Sequence, residues 1–373
     1  MISYVESVIK EERGGTLAWL VGLLLVPLAW LYSLGLKLFL LPYRLGIRAQ
    51  AHLPAPVISI GNLSVGGTGK TPMTQLICEM LQDHGLKPCV LSRGYRGEHE
   101  HDCAVVSDGR KVELTAIQAG DEAHLLANTL QGIPVLVGKD RRESGALGME
   151  RFHPDIFVLD DGMQFYQLHR DLDIALVNAT RPFENGWTFP RGLLREPPSH
   201  IRRAQIIVVT NSEKAPEEEL HRLQVKLKRL APRSMVYSAR YEPDRLISLD
   251  RKSELTPDWL EGRRVATFCA LGNPSGFEDQ IERAGAHIEY SLRLGDHQTA
   301  TMADINTLID GAQRCGAEAI IVSEKDAVKL PPLGRPIPFF ALIVRQKLSD
   351  PARFLSRLLQ AAGHAQSSVS SNR

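Results

Sequence analysis

Residues 57–71 read Val-Ile-Ser-Ile-Gly-Asn-Leu-Ser-Val-Gly-Gly-Thr-Gly-Lys-Thr, a short apolar strand that runs into a glycine-rich loop. Glycines let the backbone fold tightly around phosphate oxygens, with successive N–H groups pointing inward. In this pattern Lys70 reaches the β- and γ-phosphates, Thr71 offers a hydroxyl to Mg²⁺, and a helix starting near Gly69 adds its positive end. The stretch therefore predicts a phosphate-binding loop for a nucleoside triphosphate.

The loop departs from the strict pattern GxxxxGK[ST] at one position, because Ser64 stands where that pattern has glycine. Three later glycines supply the flexibility instead. The strand before the loop and the helix after it are the context that a phosphate-binding loop requires. The predicted ATP-binding residues are Ser64, Val65, Gly66, Gly67, Thr68, Gly69, Lys70 and Thr71.

The composition is that of a globular protein, with 373 residues, 43% hydrophobic and 23% charged. A formal net charge of +1 gives no basic excess for a nucleic-acid partner. The five cysteines form no C-x-x-C pair, which indicates a reducing compartment and neither a zinc site nor a disulfide framework.

The N-terminal segment 17–41 is apolar, and Lys37 is its only charged residue. As a helix it is long enough to cross a bilayer of roughly 30 Å. Pro27 would bend such a helix, so it could instead lie in one leaflet. The basic residues that follow the segment predict that the rest of the chain faces the cytoplasm.

Apolar strands alternate with helical patterns through most of the remaining chain, which predicts a parallel sheet covered on both faces. The predicted fold is α/β: a P-loop NTPase-like parallel sheet flanked by helices, with the N-terminal hydrophobic helix and a second, smaller α/β domain. The predicted division is a membrane-associated helix at 1–50, a P-loop core at 51–241, a linker at 242–264, a second α/β domain at 265–360 and a disordered tail at 361–373.

An apolar run at 157–159 ends in Asp160 and Asp161. At the carboxyl end of a strand these carboxylates can hold Mg²⁺ directly or through water. The sequence does not decide which of the two faces the metal.

Two further segments carry acidic residues or histidine. Asp121 and Glu122 precede a helical pattern, where Asp121 is either an N-cap or a general base, with Glu122 near the metal. The pair Asp296-His297 raises a similar question, because a histidine is usually structural but can also orient a catalytic carboxylate.

Arginines occur in three other segments. The loops at 91–97 and 191–197 combine arginine with glycine or proline, and arginine forks suit phosphate recognition. For Lys139-Asp140-Arg141-Arg142, at a predicted helix start, ordinary surface residues are the favoured interpretation.

Together these segments resemble one family, the tetraacyldisaccharide 4′-kinases of lipid A biosynthesis. The resemblance covers most of the chain, and its motifs occur in order at 61–72, 92–97, 120–122, 159–162, 194–197, 296–297 and 324–329.

The resemblance implies a membrane-associated kinase that transfers the γ-phosphate of ATP to the 4′-hydroxyl of a tetraacyldisaccharide 1-phosphate, forming lipid IVA. It implies Asp121 and His297 as a base dyad, with Lys70 as the third catalytic residue. Mg²⁺ is expected on Thr71, Asp160, Asp161 and Glu122. The glycolipid and the membrane surface are the expected partners, the latter through residues 17–41. The expected location is the inner (cytoplasmic) membrane, with the catalytic body facing the cytoplasm.

A different class of protein, a membrane-tethered P-loop ATPase or GTPase switch, remains open. The chain has no Asn-Lys-x-Asp motif after a strand, which speaks against the GTPase form. A soluble kinase of a small metabolite would leave the N-terminal helix without a purpose.

Overall fold

The computed structural model describes residues 2–9, 14–250, 252–271, 274–295, 298, 300–327, 330 and 337–363. The chain divides into two compact units, Met1–Arg240 with Leu348–Arg373, and Tyr241–Lys347. We call them unit 1 and unit 2.

The helices of the described residues are α1 (Ile2–Ile9), α2 (Thr16–Arg44), α3 (Lys70–Asp83), α4 (Ala116–Ala119), α5 (Asp121–Thr129), α6 (Arg141–Phe152), α7 (Glu217–Leu230), α8 (Pro274–Arg283), α9 (Met302–Arg314), α10 (Glu324–Ala327) and α11 (Pro351–Ala361). The strands are β1 (Val57–Asn62), β2 (Pro88–Ser92), β3 (Ala104–Ser107), β4 (Val135–Val137), β5 (Ile156–Asp160), β6 (Leu172–Asn178), β7 (Ile206–Thr210), β8 (Met235–Ser248), β9 (Glu254–Leu255), β10 (Arg264–Cys269), β11 (His287–Arg293), β12 (Ala319–Ser323) and β13 (Phe339–Leu348).

The sheet of unit 1 has the order β8-β7-β6-β1-β5-β2-β4-β3, and every pair except β4–β3 is parallel. Its central strands are apolar and wholly buried, as expected when helices cover both faces. Neighbouring residues of β5 show this directly, because Phe157 and Val158 belong to different hydrophobic clusters on opposite faces. The predicted parallel α/β sheet is confirmed, with β3 as an antiparallel edge.

The strand register places the phosphate-binding loop beside the acidic pair. In the parallel pairing of β1 with β5, Ile60 lies opposite Asp160. The loop leaves β1 after Asn62, and Asp161 follows the last residue of β5. Both segments therefore emerge at the carboxyl edge of the sheet, where ligands of such folds bind.

Unit 2 contains a parallel sheet in the order β11-β10-β12-β13. Helix α9 contributes Leu308 to the hydrophobic cluster on one side of this sheet, and α8 contributes Ile281 to the cluster on the other. The short strand β9 pairs antiparallel with the second half of β8. Unit 2 is therefore a small α/β domain with its own core.

The boundaries differ from the sequence-based division. Residues 242–264 form no linker, because they contain the second half of β8, strand β9 and the start of β10. Helix α11 was assigned to the second domain, but Phe354 and Leu358 are buried in the unit 1 core. The predicted tail begins inside α11, and residues 364–373 lie outside the described residues.

Helix α2 is the one described helix that is long and apolar enough to cross a membrane. One stripe of it packs against unit 1, and the buried or half-buried positions of the helix include Ala18, Gly22, Leu25, Ala29, Ser33, Leu36 and Leu40. These positions recur every three or four residues, the spacing of one helix face. The other faces expose large apolar side chains, among them Leu24 at 73% and Trp30 at 67%. The segment at 1–50 is therefore part of unit 1 and not a detached anchor.

Candidate active site

The loop between β1 and α3 has the geometry of a phosphate cradle. Gly66 and Gly69 have φ angles of 140° and 80°, a backbone region that side chains rarely adopt. Residues 65–67 at the tip are exposed. Helix α3 starts at Lys70, so its first backbone N–H groups and its positive end face the same loop.

Ser64 fits this loop because its position does not need glycine. It is paired with Leu194 in an antiparallel bridge, and extended backbone is open to any residue. On either side, the Val65 N–H donates to the Leu193 carbonyl at 2.8 Å, and the Arg195 N–H donates to the Leu63 carbonyl at 2.7 Å. A neighbouring loop, residues 187–195, thus holds the first half of the phosphate loop.

Buried polar side chains fix the second half of the phosphate loop. The Asn62 side-chain N–H donates to the Thr68 hydroxyl at 2.8 Å, and the Thr210 hydroxyl donates to the Thr68 carbonyl at 2.9 Å. The loop is therefore held at the ends of β1 and β7 before any ligand binds, which lowers the entropic cost of binding.

Lys70 lies beside Asp161, with 4.0 Å between Nζ and Oδ2. One guanidinium nitrogen of Arg195 donates to both oxygens of Asp161, at 2.9 and 3.1 Å. Asp161 itself has a φ of 51°, in the left-handed region. Two cations and one carboxylate therefore lie at the edge of the phosphate loop. Oxygens of a bound phosphate would replace part of the pairing of Lys70 and Arg195 with Asp161.

Asp160 is the buried member of the acidic pair, with 1% exposure. The Thr74 hydroxyl donates to its Oδ1 at 3.1 Å. Burial, followed by the negative charges of Glu122 and Asp161, raises the pKa of Asp160 to about 7. The two aspartates are therefore distinct: Asp161 pairs with basic side chains, whereas Asp160 sits where ionisation is unfavourable without a nearby cation.

The oxygen donors here fit Mg²⁺ held mainly through phosphates and water. No group of three or more His, Cys, Asp or Glu side chains among the described residues forms a ready metal cage. Mg²⁺ does not need such a cage, since one or two protein oxygens plus substrate phosphates are its usual ligands. Asp160 is a buried carboxylate with a raised pKa, and it lies next to Asp161, the partner of Lys70. It therefore has the chemistry of such a ligand.

Asp121 occupies the first turn of α5 but is not its N-cap. Gly120 takes that position, with a φ of 84°, and no side chain caps the helix. A Cβ at Gly120 would lie 2.8 Å from the Tyr95 carbonyl oxygen, so the 91–97 loop packs closely against this turn. The N-cap interpretation is wrong, and the exposed carboxylate of Asp121 remains available for chemistry.

The other half of the implied dyad cannot be placed. Asp296 and His297 lie outside the described residues. The role of His297 therefore stays a prediction from the sequence.

Arg141 is a buried cation close enough to the acidic pair to be influenced by it, and the sequence interpretation missed its burial. It is 4% exposed and its guanidinium lies 5.3 Å from the Phe165 ring centroid. Burial, and then the positive charge of Arg93, lowers its pKa to about 10, while Asp161 and Asp160 act in the opposite direction. Its Nε is buried without a hydrogen-bond partner in the described structure. A surface arginine was expected at this helix start, and no local pattern signals its burial.

Comparisons with known proteins agree on one family. A family model described as tetraacyldisaccharide-1-P 4′-kinase matches residues 21–363. The tetraacyldisaccharide 4′-kinase of Geobacter sulfurreducens is 38% identical over 343 residues, covering 91% of this chain and 94% of the relative. That of Pelobacter propionicus is 40% identical over 340 residues, covering 88% and 89%.

A solved structure is also similar. The crystal structure of LpxK from Aquifex aeolicus in complex with ATP matches with a TM-score of 0.71 and 29% identity, covering 90% of this chain and 98% of that chain.

Proposed function

Because the chain belongs to the tetraacyldisaccharide-1-P 4′-kinase family, we propose that its site transfers the γ-phosphate of ATP to the 4′-hydroxyl of a tetraacyldisaccharide 1-phosphate. The chain is a kinase that binds ATP through a P-loop fold. The product is a bisphosphorylated lipid A precursor.

One observation carries this proposal: a preformed phosphate loop with Lys70 and Arg195 converging on Asp161 at its edge. Phosphoryl transfer needs positioning and charge neutralisation more than covalent help from the protein. The loop amides and Lys70 cradle the β- and γ-phosphates. Arg195 and Arg141 add positive charge in a partly dehydrated setting, where it acts more strongly than in water.

Thr71 and Asp160 would supply oxygen ligands to Mg²⁺, with Asp161 and Glu122 next to them. The metal, when bound, neutralises charge on the triphosphate and orients it. Support for this role comes from the raised pKa of Asp160, since a buried carboxylate surrounded by like charges gains most from a divalent cation.

Asp121 is the proposed general base for the sugar hydroxyl. Its side chain is exposed at the start of a helix, and it takes no part in capping that helix. Its neighbour Glu122 acts electrostatically on Asp160, so this turn lies close to the phosphate site. His297 is proposed as its partner on the family resemblance of the Asp296-His297 pair.

The proposed partner surface is the inner membrane, with the catalytic body in the cytoplasm, and helix α2 lies in the plane of that membrane. Its contacts with unit 1 run from Gly22, under Arg191, to Tyr43, whose ring centroid lies 6.4 Å from that of Tyr166. That length is about 30 Å of helix, equal to the hydrocarbon thickness of a bilayer. If α2 crossed the bilayer, the protein surface packed against it would also lie in the hydrocarbon. A helix in the plane of the membrane places only its exposed apolar faces there.

Acceptor dependence tests the proposal. Purified protein is incubated with γ-labelled ATP and Mg²⁺, with and without tetraacyldisaccharide 1-phosphate in mixed micelles. A labelled lipid and nucleotide turnover that requires the acceptor support the kinase. Full-rate turnover without the acceptor and no labelled lipid would instead identify an ATPase switch.

A further inference from the structure

The membrane-facing helix and the phosphate loop contact the same short segment, residues 187–195. We call this segment the bridging loop. The Tyr32 hydroxyl of α2 donates to the Arg195 carbonyl at 2.9 Å. The Ser33 and Thr188 hydroxyls are 2.9 Å apart, and Thr188 also donates to the Ala29 carbonyl at 3.2 Å. Three hydrogen bonds therefore join the bridging loop to a helix that is otherwise apolar.

A fourth contact is steric. A Cβ at Gly22 would lie 3.2–3.3 Å from the Arg191 guanidinium, so this arginine rests directly on the helix backbone. The Nε atom of Arg191 is buried and lacks a hydrogen bond among the described residues. Of the three hydrogen bonds, the one from Thr188 to the Ala29 carbonyl is buried, whereas the one from Tyr32 to the Arg195 carbonyl is exposed. The bridging loop is thus fixed to one face of α2 over roughly three turns.

The other side of the bridging loop holds the nucleotide site. Its backbone forms hydrogen bonds with Leu63 and Val65 on the phosphate loop, and the Arg195 guanidinium donates to both carboxylate oxygens of Asp161. Among the described residues of this loop, Arg195 makes both connections: its carbonyl oxygen accepts from Tyr32 and its guanidinium donates to Asp161. A shift of α2 would therefore move a cation at the phosphate site.

We propose that Tyr32 is a positioning residue that couples seating of helix α2 in a lipid surface to nucleotide binding, through its hydrogen bond to Arg195. This inference rests on the proposed function for the location of the membrane and ATP. Lipid holds α2 in one position, α2 holds the bridging loop, and the loop sets Arg195 against Asp161 and Lys70. In this role Tyr32 acts through the Arg195 carbonyl and not as a ligand of ATP.

The coupling has a reciprocal consequence. If a lipid surface raises nucleotide affinity, nucleotide must raise the affinity for the lipid surface by the same factor. A hydrogen bond of this kind changes an equilibrium by roughly threefold to tenfold. The effect is measurable without phosphoryl transfer, so it separates the coupling from the kinase assignment.

The experiment measures partition of the full chain into phosphatidylcholine vesicles, with and without a non-hydrolysable ATP analogue and Mg²⁺. We expect the analogue to increase partition of the wild type about threefold or more. Each variant is compared with its own partition without nucleotide, and in Tyr32→Phe we expect the nucleotide-dependent increase to be lost.

Tyr43→Phe is the matched control, because it removes a hydroxyl from the same helix that has no hydrogen-bond partner in the described structure. It should keep the wild-type increase. A double variant of Tyr32→Phe with Arg195→Lys should show no more loss than Arg195→Lys alone, since both act on one path.

Three outcomes overturn the coupling. The wild type partitions equally with and without nucleotide, Tyr32→Phe shows the same nucleotide-dependent increase as the wild type, or the losses of the two single variants add up in the double variant. Lipid phosphorylation is assayed in parallel on the same samples. If the wild type labels no glycolipid but shows the nucleotide-dependent partition, the proposed function fails and the coupling stands.

Discussion

At the residue scale, the two adjacent aspartates show how much one position matters. Asp161 turns into the left-handed region and meets Lys70 and Arg195, while Asp160 completes a buried strand. The sequence predicts an acidic pair at a strand end but not which member is buried. That distinction depends on the path of the backbone after β5 and on the neighbours that it meets.

Asp160 makes metal-free protein sensitive to pH. Because its pKa is raised to about 7 in the fold, the folded protein keeps a proton that the unfolded chain has already released. Between about pH 4 and 7, stability contributed by this group therefore falls as pH rises. We expect the melting temperature in chelator to fall from pH 5 to pH 8, and Asp160→Asn to lose most of that fall. Equal pH dependence in both proteins would contradict the assignment.

The proposal that Asp160 is a Mg²⁺ ligand predicts how Mg²⁺ binding in the presence of nucleotide depends on pH. A carboxylate must be ionised to bind the metal, so the apparent affinity should fall by up to about tenfold for each pH unit below 7. Titration calorimetry from pH 5.5 to 8 measures this slope. Asp160→Asn should bind Mg²⁺ weakly at every pH, and a steep slope in that variant would argue against Asp160 as a ligand.

Asp121→Asn tests the proposed base. The amide cannot accept the sugar proton, so we expect kcat to fall roughly 10²- to 10⁴-fold while ATP affinity stays nearly constant. Asp83→Asn serves as the control, since Asp83 is an exposed residue at the end of α3. Near-normal turnover in Asp121→Asn would remove Asp121 from the chemistry.

Arg141 marks the limit of reasoning from local sequence. Charged residues at a helix start are usually exposed, and Asp140 does cap α6 in the expected way. Arg141 is nevertheless buried, because long-range packing against Phe165 encloses it. Such contacts join residues far apart in the chain, and no spacing rule reports them.

At the element scale, helix α2 combines two different surfaces. The stripe that lies against unit 1 combines small residues such as Ala18, Gly22 and Ala29 with leucines, and other large apolar side chains point away from it. The sequence predicts the helix from its length and hydropathy. It left open whether the helix spans the bilayer, since that answer depends on which face contacts the protein.

Leu24→Glu tests the membrane surface of α2. Leu24 is largely exposed, so the fold should tolerate the change, whereas a charge within the hydrocarbon costs up to about 3 kcal/mol. We expect vesicle partition to fall at least roughly tenfold in sedimentation assays. Met302→Glu, at an exposed apolar position on α9, should partition like the wild type. Unchanged partition of Leu24→Glu would exclude this face from the bilayer.

Helix α11 shows why the predicted domain boundary was wrong. It follows unit 2 in the chain but packs on unit 1, where Phe354 meets Tyr237 edge-on with 5.2 Å between ring centroids. Sequence order suggests that consecutive elements belong together, and a return to the first domain breaks that rule.

Phe354→Ala should destabilise unit 1 by about 3–5 kcal/mol, because a fully buried ring is replaced by a cavity. Chemical denaturation followed by circular dichroism measures the change. Arg353→Ala, on the exposed side of the same helix, should change stability by less than about 0.5 kcal/mol. A small effect of Phe354→Ala would mean that α11 contributes little to the unit 1 core.

At the scale of the whole molecule, the alternation of strands and helices predicts both α/β units and the parallel sheet. The phosphate loop is identified from sequence because Gly66 and Gly69 meet a local backbone requirement, a positive φ angle, and Lys70 supplies the positive charge. The antiparallel edge strand β3 was missed because its partner β4 lies much later in the chain. The strands within 242–264 were missed although β9 pairs with the nearby Leu246 and Ile247 of β8. Local chemistry is therefore readable from the chain, whereas tertiary boundaries are not.

The central claim is that this chain phosphorylates the 4′-hydroxyl of a tetraacyldisaccharide 1-phosphate. The most direct measurement is phosphorus and proton NMR of the lipid recovered after incubation with ATP and Mg²⁺, with Asp121→Asn protein as the matched blank. The account predicts a second phosphate monoester, coupled to the proton at carbon 4 of the non-reducing glucosamine, and only starting lipid with the variant. Recovery of unmodified lipid from wild-type protein, or a phosphate at any other hydroxyl, would contradict it.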